Sequence, residues 1–131
     1  MLLLDEKKKQ EIFTQMKVDP ETAFKILKPL GEGAYGAVFK AQDVRDNQLV
    51  ALKVMRFDPD ECQDLMSEIK ILRQCNHENI VNFKDTFYKD GNIWLAMEFC
   101  EGGSALDIIK VSKHTLSERQ CQCVLYHSLK G

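Results

Sequence analysis

Along the 131 residues the spacing of apolar positions changes several times, and each change marks an element. Between Glu6 and Val18, Ile12, Phe13 and Met16 stand among charges, which predicts a short amphipathic helix in an N-terminal extension, residues 1–20, with Lys7 to Lys9 on its solvated face. After Asp19-Pro20-Glu21, a helix start or turn, Phe24 to Leu30 reads as a strand with Pro29 near its end. Ala37 to Ala41 is a second short strand, Asp43 to Asn47 is turn chemistry, and Leu49 to Met55 is a third run, apolar apart from Lys53. From Asp60 to Cys75 the spacing becomes helical. Cys62, Leu65, Met66, Ile69 and Leu72 share one stripe, and Glu68 falls at its edge, where a carboxylate would border the core. Val81 to Phe87 alternates as a half-buried strand, Lys89 to Asn92 turns it, and Ile93 to Phe99 returns as a more fully buried one. Helical stretches follow over Ser104 to Val111 and Ser117 to Leu129, the second opening with Ser117-x-x-Gln120 as a capping box.

Composition narrows the class of protein. With 44% hydrophobic and 29% charged residues the chain can build a core and is no disordered polyelectrolyte. A net charge of −2 lacks the basic footprint of a protein that grips nucleic acid by bulk charge, so no nucleic-acid partner is expected. Met1 to Leu4 is too short for a signal peptide core or a membrane span, and Leu2 excludes N-myristoylation, so a cytoplasmic chain without a membrane partner is expected. The five cysteines are odd in number and form no Cys-x-x-Cys pair, which argues for reduced thiols and against a structural metal site.

The chemistry concentrates in Gly31-x-Gly33-x-x-Gly36. That spacing alone also suits a dinucleotide fold or a plain turn. A dinucleotide site needs a helix opening at the third glycine, whereas Ala37 and Val38 begin a strand. A hairpin whose tip folds over phosphates fits better, because glycine has no Cβ to block backbone N–H groups. Such a lid needs a cation beside it. Lys53 supplies one on an otherwise apolar strand, where an ammonium without a partner would be costly, and Glu68 on the following helix is its natural counter-charge.

In this order the residues resemble the eukaryotic protein kinases, from about Pro20 to Gly131. Leu30-Gly31-Glu32-Gly33-Ala34-Tyr35-Gly36-Ala37-Val38 is similar to the glycine-rich loop, Val50-Ala51-Leu52-Lys53 to the third-strand lysine motif, and Glu68 to the helix C glutamate. Glu98-Phe99-Cys100 resembles the hinge, which makes Met97 the gatekeeper. Asn76 to Val81 and Glu101-Gly102-Gly103-Ser104 are most similar to sterile-twenty-like serine/threonine kinases of the Hippo or Mst (germinal-centre) branch. The resemblance implies an α+β fold with a five-stranded antiparallel sheet and helix C over residues 21–99, and a hinge with the incomplete start of a second lobe over 100–131. It implies ATP as cofactor, held by Leu30, Val38 and Ala51 around adenine, by main-chain groups of Glu98 and Cys100, and by Lys53 on the α- and β-phosphates. Protein substrates or scaffolds would be the parent kinase's partners, and Mg²⁺ would belong only to a complete kinase.

The 131 residues contain no His-Arg-Asp, Asp-Phe-Gly or Ala-Pro-Glu, so neither a catalytic base nor metal-ligating aspartate is expected in this chain, and no activity from it alone. Val124, Leu125 and Leu129 are therefore expected to lack burial, leaving residues beyond about Gly103 weakly anchored. Two other readings stand beside the kinase one: a non-catalytic module that binds a kinase or scaffold through helix C or the last helix, and a small nicotinamide-dependent oxidoreductase, which requires a helix directly after Gly36.

Overall fold

The computed structural model describes residues 18–33, 36–58 and 62–131. The helix expected from Glu6 lies outside these residues up to Lys17, as do Ala34, Tyr35 and the expected helix start at Asp60. Asp19 opens the first described element: its carboxylate accepts from the Glu21 N–H at 2.9 Å and caps the one-turn helix α1, Pro20–Ala23. Pro20 suits that first turn because the N–H it lacks would have had no helical partner. Lys89 ties the cap to the sheet, its Nζ donating to Asp19 at 2.9 Å and to Glu21 at 2.6 Å. These exposed carboxylates, Glu21 first, hold the Lys89 ammonium up at about 12.

Five strands follow: β1 (Phe24–Gly33), β2 (Gly36–Asp43), β3 (Leu49–Arg56), β4 (Phe83–Lys89) and β5 (Asn92–Glu98), with helix α2 (Cys62–Gln74) between β3 and β4. They form one antiparallel sheet in the order β1-β2-β3-β5-β4. β1 runs beyond Pro29, through Gly33, because the proline sits on an edge strand next to a break in register between Pro29 and Gly31. The β4–β5 hairpin turns on Asp90 and Gly91, whose φ values of 50° and 76° are those of a two-residue turn matched to strand twist.

Strand alternation builds two cores on opposite faces. One face carries Met55, Ile93 and Leu95, against which α2 packs Met66 and Ile69. The other carries Ala41, Val50, Leu52, Phe87 and Ala96, joined by Ala23 and Phe24 from the α1 side. Phe24 and Phe87 meet edge to face at 5.4 Å. The expected alternation in Val81 to Phe87 is not found: β4 starts at Phe83, and Asp85, Thr86 and Phe87 are all buried. Both faces of this edge strand are covered, and Asp85 is buried because Arg45 pairs with it at 3.0 Å.

Arg45, in the β2–β3 turn, donates to Asp43 at 2.7 Å and to Asp85 at 3.0 Å, lies over the rings of Phe24 and Phe87, and so pins the turn to β4. Its hydrogen bonds hold the buried Asp43 carboxyl below the usual carboxylate range.

Beyond the sheet, α3 (Ala105–Ser112) and α4 (Glu118–Lys130) each open with a complete capping box, Ser104 with Asp107 and Ser117 with Gln120. Neither buries a residue. Val111 and Leu129 are 84% and 86% exposed, and the His127 ring reaches Asn79 at 3.1 Å.

Two expectations follow. The amides of α3 and α4 should exchange with deuterium faster than those of β3 and β5, by mass-resolved hydrogen exchange, because no apolar burial holds the helices down. Arg45→Ala should cost about 2–4 kcal/mol in urea unfolding near neutral pH, since it leaves buried carboxylates without their counter-charge. In the native protein the depressed Asp43 value adds stability above the ordinary carboxylate range, lost as pH falls through the folded value. In the variant Asp43 holds its proton to higher pH, so the deficit should shrink from about pH 7 toward about pH 5.

Candidate functional site

The strand register decides which predicted residues share a face. Gly31, Val38, Lys53 and Leu95 stand in one cross-strand row, and Lys40, Ala51 and Met97 in the next. Directly paired residues project on the same side, so Val38, Ala51, Lys53 and Met97 all stand on the face that α2 covers farther along the strands. All four are half-buried. Ala37 and Leu30 are placed differently. Ala37 pairs with Val54, one step out of phase, so its methyl turns to the opposite face, where it and Leu30 line a shallow cavity of about 460 Å³ with Pro29 and Phe39. Leu30 falls at the break in the β1–β2 register and is 44% exposed.

The three glycines do two different jobs. Gly36 has φ +119°, and a Cβ there would lie 2.1 Å from the Val54 carbonyl oxygen. Its backbone is pressed onto β3, and only glycine fits. A Cβ on Gly31 or Gly33 would meet nothing within 4 Å. Those two positions keep the strand backbone bare on an open side, where a phosphate could approach main-chain N–H groups. Ala34 and Tyr35 of the loop lie outside the described residues; Glu32 is exposed.

At the other end, the Glu98 N–H donates to the Asn82 carbonyl at 2.8 Å and the Glu98 carboxylate accepts from the Asn82 N–H at 3.1 Å. This anchors the end of β5. The exposed Cys100 follows, its carbonyl accepting from Gly103 at 3.2 Å, while no partner among the described residues takes its N–H. A free donor beside the Ala51–Met97 row is what main-chain recognition of a purine edge requires.

Lys53 and Glu68 are not brought together: no ion pair joins them, and Glu68 is exposed rather than bordering the core. The buried seam of α2 runs through Met66 and Ile69. At about 100° per residue Glu68 sits roughly 160° from the first and 100° from the second, on the solvated side. Leu65 and Leu72 are only partly buried, so the predicted stripe is narrower than its apolar residues. Among the described residues no group of three or more His, Cys, Asp and Glu could hold a metal ion. No helix among them is long and apolar enough to cross a membrane.

One residue was missed at the sequence level. Lys40 stands in the Ala51–Met97 row, its Nζ 4.6 Å from the Phe99 ring centre and 3.9 Å from a Glu101 carboxylate oxygen. A lysine alternating with apolar residues on a half-buried strand carries no signal that distinguishes it from a solvated one.

Comparison with known proteins agrees with this geometry. The protein kinase domain family matches residues 24–131. A serine/threonine-protein kinase 1 of Arabidopsis thaliana is 36% identical over 115 residues, which cover 86% of this chain and 14% of the relative. The chain thus spans about a seventh of the length of that curated relative. Strand rather than helix after Gly36 removes the nicotinamide-dependent alternative. With the loop, the third-strand lysine and the five-stranded sheet in the family's order, the chain belongs to the protein kinase domain family.

Proposed function

We propose that this chain is the ATP-binding portion of a serine/threonine protein kinase, one that transfers the γ-phosphoryl group of ATP to protein Ser or Thr hydroxyls in the cytoplasm. The observation that carries the reading is the division of labour in the glycine loop: Gly36 is locked on β3, and Gly31 and Gly33 are open to a ligand. In this reading Val38 and Ala51 enclose adenine below the Met97 gatekeeper, and Leu30 joins them only when the β1 edge turns inward at the break between Pro29 and Gly31. The Glu98 carbonyl accepts from the base and the Cys100 N–H donates to it. Lys53 takes the α- and β-phosphates. Glu68 becomes its partner only when α2 turns inward, an arrangement this structure does not hold. The loop's Ala34 and Tyr35 and the Ala37 N–H complete the cover over the phosphates. The motif wording favours the sterile-twenty-like branch, and residues 21–99 and 100–131 act as nucleotide lobe and start of the second lobe.

Transfer itself needs an aspartate to receive the substrate hydroxyl proton and ligands to fix Mg²⁺, and the 131 residues carry neither motif. Acting alone the chain binds nucleotide without turning it over. A second reading, docking of a kinase or scaffold through α2 or α4, is favoured by one observation: α4 leaves Val124, Leu125, Tyr126 and Leu129 exposed.

Titration with a fluorescent ATP analogue tests the nucleotide reading. Gly33→Ala should unfold like the parent yet bind at least about tenfold more weakly, a loss of about 1.4 kcal/mol. Gly36→Ala should instead lose stability, by about 1–3 kcal/mol, because its methyl collides with Val54. Equal nucleotide affinity in the parent and Gly33→Ala would remove the open-cradle argument. Lys53→Ala should weaken binding roughly 10- to 100-fold, the worth of one charge-assisted contact. Radiolabelled phosphate transfer to a basic protein substrate should be absent from the parent chain, and transfer abolished by Lys53→Ala would overturn the prediction of inactivity.

A further inference from the structure

We propose that Lys40 is a positioning residue, a strut that holds the linker Phe99 to Glu101 against the glycine hairpin and so sets where the base-reading main chain lies. The inference rests on the nucleotide reading for its consequence, but not for the strut itself.

In sheet order β2 and β5 are separated by β3, so their backbones lie roughly 9–10 Å apart and share no ladder hydrogen bond. Whatever couples the glycine hairpin to the linker must cross that gap with a side chain. Lys40 does so. Its side chain is only 18% exposed, low for a lysine, and its ammonium ends over the Phe99 ring at 4.6 Å. Glu101 adds a second contact at 3.9 Å, but its side chain is 84% exposed, and an ion pair that long and that wet contributes little. The ring contact is therefore the main tie, and Glu101 keeps the ammonium on that side.

The residues on either side of the strut explain what it positions. Val38, two residues before Lys40 on the same face, stands in the row of Lys53, while Lys40 itself shares the row of Ala51 and Met97. Phe99 immediately precedes Cys100, whose N–H has no partner among the described residues. A linker held through Phe99 presents that donor at one height above Ala51. Released from Lys40, the segment from Phe99 to Gly103 keeps, among the hydrogen bonds of the described residues, the Gly103 to Cys100 turn bond and the Glu98 anchor behind it. Discrimination of the base should suffer more than grip on the phosphates.

The exposed Cys100 thiol reports the linker without any nucleotide. Alkylation of the full chain, resolved by peptide mass mapping, should proceed about two- to fivefold faster at Cys100 in Lys40→Ala than in the parent, the range expected from losing one cation–π contact. Lys40→Arg, which keeps a cation over the ring, should restore the parent rate. Phe99→Leu should give the same acceleration, and serves by itself if Lys40→Ala fails to fold; where both fold, adding Lys40→Ala to it should give no more. Unchanged Cys100 reactivity in folded Lys40→Ala or Phe99→Leu would overturn the strut. For the consequence, Lys40→Ala should weaken ATP about two- to fivefold and leave inorganic tripolyphosphate unaffected. Equal losses for both ligands, or none for ATP, would overturn the positioning role. If the parent chain binds neither, the nucleotide reading fails while the Cys100 rates still decide the strut.

Discussion

β3 is packed on both sides, and that burial constrains everything around it. Val50, Leu52 and Val54 belong to the core shared with β2, β4 and Phe24, while Met55 belongs to the core under α2. A slip of one residue would exchange the two faces and put Lys53 into the first core. The register is therefore strongly specified, and it carries Ala51 and Lys53 to the same face as Val38 and Met97. It also brings the Val54 carbonyl to Gly36, so the position of the glycine loop is set by the strand it covers.

Around this strand the sheet is tied laterally at two places, with different chemistry. On the α1 side, Arg45 engages Asp43 and Asp85, whose carboxylates are nearly out of water, and the pair of aromatic rings beneath it excludes solvent further. Such a clamp is rigid, because opening it strands charge in the interior. On the site side, Lys40 crosses to Phe99 and Glu101 near solvent. That tie can open at small cost. Rigid fixation away from the site face and a looser link beside it suit the nucleotide-binding role proposed for the glycine hairpin.

The helices α3 and α4 show how little local sequence needs from tertiary structure to begin a helix. Both capping boxes close within four residues, and both helices form with their apolar side chains in solvent. Capping decides where a helix starts; it does not supply the burial that keeps it in place. α2 is the contrasting case, held to the sheet by Met66 and Ile69, while Ile71 faces out at 61% exposure.

The elements and the loop chemistry were legible in the chain. Periodicity placed the five strands and three longer helices within a few residues, and the α+β fold read from the kinase resemblance is the one observed. Turn and cap residues such as Asp90-Gly91 and Ser117 act within a few residues of themselves, the first through backbone conformation and the second through a hydroxyl that accepts from the Gln120 N–H, which is why they read locally. What escaped were contacts between segments far apart in sequence. Asp85 is buried because Arg45, forty residues earlier, reaches it; Glu68 is exposed because the seam of α2 narrows to two residues; Ala37 turns away because the register puts it out of phase; Lys40 meets Phe99 across an intervening strand. Local sequence determined which backbone shapes form and where the glycines must be, since those depend on steric limits within a few residues. Tertiary structure alone decided which charges meet, because that depends on strand order and register, and no single segment encodes either.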